Sequence, residues 1–134
     1  MRWIVLVALT SLASGAAAEE ARAETDGRSG AELFFTHCGA CHGVSGEGDG
    51  PVAAELKYLP PDLTRIAERN GGEYPADAVH QIIDGRKPLP GHGGPEMPIW
   101  GDAFKTAADR FSEEAAQAKI AAIVAHLATL QRVD

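Results

Sequence analysis

Residues 38–42 read Cys38-Gly39-Ala40-Cys41-His42. A Cys-x-x-Cys-His run has the spacing of c-type haem attachment. Two thiols three positions apart can each add to one vinyl group of a haem, and the adjacent imidazole then lies under the iron. Five consecutive residues thereby supply a covalent tether and one axial ligand, and a fold able to enclose a porphyrin is implied around them. Two other uses of such a pair are weaker here. A structural zinc site usually draws four ligands from two clusters, and these are the only cysteines in the chain. A thioredoxin-like redox pair expects a βαβ setting, and no such alternation surrounds it. Neither alternative needs the histidine.

The helices are read outward from this motif. Ser29 followed by Glu32 forms a capping box, and the helix it opens carries Leu33 and Phe34 toward Cys38. The stretch from Gly43 to Pro51 holds four glycines, enough for a tight loop against a flat ligand. Leu59-Pro60-Pro61-Asp62 interrupts the chain again. Asp62 predicts the cap of a short helix through Leu63, Ile66 and Ala67, stopped at Gly71. A third helix is expected over Ala76 to Asp84, with Val79, Ile82 and Ile83 inward and Gly85 at its end. Arg86 to Gly101 contains Pro88, Pro90, Pro95 and Pro98 and is expected to be a loop without regular helix. The last helix starts near Ser112, with Glu113 and Glu114 in the turn where the macrodipole favours acids. Its apolar stripe is Ile120, Ile123, Leu127 and Leu130. No alternating strand pattern and no internal repeat is present. The expected fold class is all-α, with long loops and few aromatics, so that a buried haem supplies apolar core that the chain lacks. The apoprotein is therefore expected to be poorly folded.

The 134-residue sequence opens with a pattern of secretory signals: Arg2, an apolar stretch from Trp3 to Ala13, and the small residues Ala16-Ala17-Ala18. Cleavage is expected after Ala18, with Ala23 as the alternative. The expected organisation is 1–18 signal peptide, 19–28 polar leader and 29–131 haem-binding domain. The apolar stretch falls short of the roughly 20 residues of a bilayer span, so no stable membrane insertion is expected after cleavage. Beyond Ala18 the chain holds 11 basic and 19 acidic residues. That balance argues against nucleic-acid binding and fits either solubility or steering toward a basic partner.

For the iron, His42 is the proximal candidate by position. Met97, in Pro95-Glu96-Met97-Pro98-Ile99-Trp100-Gly101, is the other axial candidate. It is the one methionine left once Met1 is removed, and its thioether is a soft ligand that favours ferrous iron. His92, in Gly91-His92-Gly93-Gly94, is its rival. His37 is read as a surface residue or a contact to a haem edge, and His80 and His126 as helix residues that pack or face solvent. Pro51 is expected to offer its backbone carbonyl to the His42 ring. Trp100 is expected near the haem edge or a propionate, with core packing nearly as good a use of it. Arg65, Arg69 and Arg86 are candidate propionate partners.

Taken together, these segments resemble the class I monohaem cytochromes c. Gly30 with Phe34 is similar to that family's N-terminal helix signature, and Cys38–Gly43 to its attachment box. Met97-Pro98-Ile99-Trp100-Gly101 resembles the axial-methionine loop of bacterial members. Ile123 to Leu130 resembles the C-terminal helix, and Gly50-Pro51 the segment whose proline carbonyl meets the axial histidine. His126 departs from the pattern, since many members carry an aromatic there. The resemblance implies a cytochrome c fold of three to five helices around one covalently bound haem c, its first and last helices crossing. It further implies one-electron transfer in the bacterial periplasm between redox partner proteins, with His42 and Met97 both on the iron, no enzymatic activity, and a monomer. Two other functions stand beside it: a ligand-binding or catalytic haem protein with an open distal site, and a cytochrome subunit of a larger oxidoreductase.

Overall fold

The computed structural model describes residues 28–87, 97–106 and 112–132. The expected signal peptide, almost all of the leader, and His92 lie outside them. Helix α1 (Gly30–His37) starts where its cap demands. The Ser29 hydroxyl accepts from the Glu32 amide at 3.2 Å, and the Glu32 carboxylate accepts from the Ser29 amide at 2.7 Å. The chain turns at Cys38 into α2 (Gly39–His42), a single turn that carries the attachment motif. A 3₁₀ turn follows at Ala53–Glu55. A second, Leu63–Arg65, is capped by the Asp62 carboxylate on the Thr64 amide at 2.8 Å and runs into α3 (Ile66–Arg69). Helix α4 (Ala76–Asp84) ends at Gly85, whose φ of 89° lies in the left-handed region that glycine adopts without strain. Helix α5 (Trp100–Ala103) begins inside the expected loop, because no proline follows Pro98 to prevent it. Helix α6 (Glu113–Thr129) is capped by Ser112 on the Ala115 amide at 3.3 Å. Among the described residues there are six α-helices and no strand, the all-α class read from the sequence.

The core forms where α1 crosses α6. Leu33, Phe34, Ile120 and Ile123 are at most 1% exposed, and Val79 and Ile83 of α4 close the cluster. Burying a side chain of that size stabilises the fold by about 1.5–3 kcal/mol. The crossing is tight at Gly30, where a Cβ would stand 2.1 Å from the Ala122 carbonyl oxygen and 3.1 Å from the His126 Cβ. Polar clasps complete the packing. The Tyr74 hydroxyl donates to the Val124 carbonyl at 3.0 Å, and burial pushes its pKa up to about 12. Beyond α6, the Gln131 amide donates to the carbonyls of Leu63 and Leu127 and accepts from the Ala67 amide, all at 2.8–2.9 Å. That one side chain ties the end of the last helix to the Leu63–Arg69 segment.

His126 occupies the crossing itself, its ring centroid 5.5 Å from that of Phe34 and tilted by 53°. Imidazole thus fills the place of an aromatic ring there. Burial lowers its pKa from the ordinary histidine value, because the charged form is desolvated. A folded pKa below the unfolded one gives stability that is complete above the unfolded value and lost as pH falls through the folded value. We expect the urea midpoint to fall between about pH 7 and about pH 5. His37 shifts in the same direction, by burial and then by the charges of Arg28 and Lys119. The difference between wild-type and His126→Phe curves isolates the crossing. A His126→Phe profile parallel to wild type would refute this assignment.

Candidate functional site

Helix α2 has only one turn, so its carbonyls are satisfied from outside. The amides of Gly48, Gly50 and Val52 donate to the carbonyls of His42, Cys41 and Ala40 at 2.8, 3.2 and 3.1 Å. The glycine-rich loop thereby wraps the motif and fixes it in space. The Leu63 amide donates to the Gly46 carbonyl at 2.7 Å and ties this loop to the next segment. Cys38 and Cys41 are reduced and half-buried, and His42 is 7% exposed. Burial raises the Cys38 thiol to about 12, with a smaller contribution from Cys41.

Beside the motif lies a largely apolar cavity of about 230 Å³, open on one side. Cys38, His42 and Met97 all line it, with apolar walls from Phe34 of α1, Val79 and Ile82 of α4, and Ile123 and Leu127 of α6. His42 and Met97 are 55 positions apart in sequence, and the fold brings them to one chamber. Of the three candidate arginines, Arg69 lines the cavity, its guanidinium also donating to the Asp62 carbonyl at 2.8 Å. Arg65 pairs with Glu68, and Arg86 with Asp84 and Glu113, away from it.

The surroundings of three further candidates are plain in this geometry. Trp100 is half-buried and packs in the core beside the cavity, its ring 5.0 Å from Phe104 and 5.2 Å from His37. His37 is neither a surface residue nor a cavity residue. It stands edge-on to Trp100 and Phe104, with Nε2 buried and lacking a hydrogen-bond partner among the described residues. Pro51 is exposed in the turn after Gly50, and no hydrogen bond joins its carbonyl to Nδ1 of His42. The turn's amides are directed at the carbonyls of α2.

Two thiols on one turn, an imidazole and a thioether around an apolar chamber are a donor set suited to haem iron and its vinyl edge. The family model for cytochrome c matches residues 28–131. The chain belongs to the cytochrome c family. No curated protein and no solved structure matches it. As a c-type cytochrome it carries covalently bound haem c with its iron, works in haem-based electron transfer, and meets redox partners. The cytochrome c fold accounts for the crossing of α1 and α6 over the cavity. No described helix is long and apolar enough to cross a membrane.

The His37–Trp100–Phe104 cluster and the places of Ala78 and Ile66 in the cavity wall were not among the expectations. Helical spacing from Ile82 is the signal that finds Ala78, since residues four apart share a face. In the aromatic cluster Trp100 and Phe104 are four positions apart, but His37 lies more than 60 positions before them and has no local signature there.

Proposed function

We propose that this cytochrome is a one-electron carrier of the periplasm, with one haem c joined through Cys38 and Cys41 and its iron bound between His42 and Met97. The observation that supports this is the convergence of Cys38, His42 and Met97 on one apolar cavity. The bound haem iron supplies reversible exchange between ferric and ferrous states. Each other part of the work falls to the chain. The two cysteines tether. His42, buried at the end of α2, is held in place by the loop amides that satisfy the carbonyls around it. Met97 occupies the opposite side, so both axial positions are filled and no substrate coordinates. Val79, Ile82, Ile123 and Leu127 exclude water, which keeps the charge change from being met by reorganising solvent. Arg69 pairs with a propionate at the cavity wall.

This arrangement favours a carrier over a catalytic or ligand-binding haem protein. Redox partners dock transiently near the exposed part of the haem, as small redox interfaces do, and the protein acts as a monomer. The test is expression with haem maturation, followed by mass spectrometry, redox titration and addition of carbon monoxide to the ferrous form. We expect the mass of one haem per chain, a reversible one-electron titration and no carbon monoxide binding at micromolar gas. Tight carbon monoxide binding would favour an open distal site, and an exported chain lacking added haem mass would overturn the whole reading.

A further inference from the structure

The end of α4 carries a buried carboxylate in an unfavourable place. Asp84 is the last residue of the helix and only 7% exposed, and the negative end of the helix dipole repels an anion there. It is held by partners on two sides. Gln117 of α6 donates its amide to Asp84 Oδ1 at 2.8 Å, and the Arg86 guanidinium pairs with Oδ2. The same Gln117 amide donates to Glu113 at 2.9 Å, Glu113 pairs with Lys105 at 2.7 Å, and Lys105 with Asp102 at 3.1 Å. One polar chain thus runs from the end of α4, over the first turns of α6, to α5.

The backbone that follows Met97 rests on this chain. A Cβ on Gly101 would stand 2.2 Å from Asp84 Oδ1 and 2.7 Å from the Asp84 carbonyl oxygen. A Cβ on Gly85 would stand 2.5 Å from the Ile99 side chain. Ile99 to Gly101 therefore lies flush against Asp84 and Gly85, two to four residues from Met97. The segment has little structure of its own, since α5 is a four-residue helix. Its seat comes from outside.

We propose that Asp84 and Gln117 are positioning residues that hold the Met97 segment in place and so keep the thioether on the iron; this rests on the reading of Met97 as axial ligand. A thioether is a neutral, weak ligand, so its occupancy depends on how firmly its backbone is held. An external ligand that competes with it binds in proportion to the fraction of molecules in which the sulfur has left. Loosening the seat raises that fraction. Asp84 and Gln117 touch neither ligand nor cavity and act through the backbone of Ile99–Gly101.

The experiment is titration of the ferric holoprotein with imidazole, following loss of the long-wavelength sulfur-to-iron charge-transfer band, in wild type, Gln117→Leu and Asp84→Asn. Gln117→Leu is expected to bind imidazole roughly tenfold more tightly, the effect of one lost hydrogen bond to a charged group. Asp84→Asn keeps the volume of the side chain and shifts affinity in the same direction by less. Tyr74→Phe, which removes the hydrogen bond to the Val124 carbonyl beyond the other end of α4, reports the effect of lowered global stability alone and is expected to leave imidazole affinity unchanged. If Gln117→Leu matures poorly, Asp84→Asn carries the test. Imidazole affinity within twofold of wild type in both variants, with the band present, overturns this inference and leaves Met97 as ligand. Equal tightening in Tyr74→Phe also overturns it, since the effect would then be one of general stability. Absence of the band in wild type overturns both the inference and the ligand reading beneath it.

Discussion

Met97→Ala is expected to abolish the sulfur-to-iron charge-transfer band and to lower the reduction potential by on the order of 0.1 V, a modest part of the roughly 0.8 V span that axial ligands command. The sign follows from ligand chemistry. A thioether stabilises ferrous iron relative to ferric, and its removal, whether water or nothing replaces it, takes that preference away. The variant gains a vacant axial position, so carbon monoxide now binds, and imidazole binds more tightly than to wild type because it no longer has to displace a sulfur. The fold is expected to survive, because Met97 is half-buried and the cavity is walled mainly by α1, α4 and α6. Visible spectroscopy and potentiometry of the matured variant check the prediction. Unchanged spectra and potential would remove Met97 from the iron and return attention to His92.

Gly30→Val is expected to have the largest effect on stability. A Cβ at position 30 meets the Ala122 carbonyl oxygen at 2.1 Å, which is backbone in the middle of α6 and cannot turn aside. The helices must separate, and the contacts of Leu33 and Phe34 with Ile120 and Ile123 loosen with them. Overpacking of a well-filled core commonly costs about 1–3 kcal/mol, and a clash with rigid backbone belongs at or above the top of that range. For a domain of this size, about 3 kcal/mol lowers the melting temperature by roughly 12–24 °C. Urea denaturation of the holoprotein measures it directly: the midpoint falls while the slope stays constant. Gly30→Ala, with the smallest added group, is expected to lose less. A valine variant as stable as wild type would show that α1 is free to slide along α6.

Which parts of this architecture were legible in the sequence follows from the range of the forces involved. The starts of α1 and α6 were readable because Ser29 with Glu32, and Ser112 with the acids after it, act within one turn. The end of α4 was readable because Gly85 relieves a local backbone constraint. The attachment motif declared its chemistry in five residues. The seat of the Met97 segment was not legible, since Asp84 and Gln117 meet only when α4 and α6 are already packed, and either alone reads as an ordinary surface polar residue. Trp100 was ambiguous for the same reason. Phe104 caps the same short helix, but His37 comes from α1, and nothing near Trp100 in sequence separates a core aromatic from one at a haem edge. The short α5 was missed because four prolines dominate the stretch before it, although none lies within it.

The crossing of α1 with α6 has a consequence for biosynthesis. The walls of the porphyrin chamber are contributed by residues from Phe34 to Leu127, so no shorter nascent stretch encloses it. Whatever machinery forges the thioether links before translation ends must therefore work on an open Cys38–His42 strand, presenting haem to a polypeptide that has nowhere yet to bury it. Until Ile123 and Leu127 of α6 arrive, that part of the chamber wall is missing.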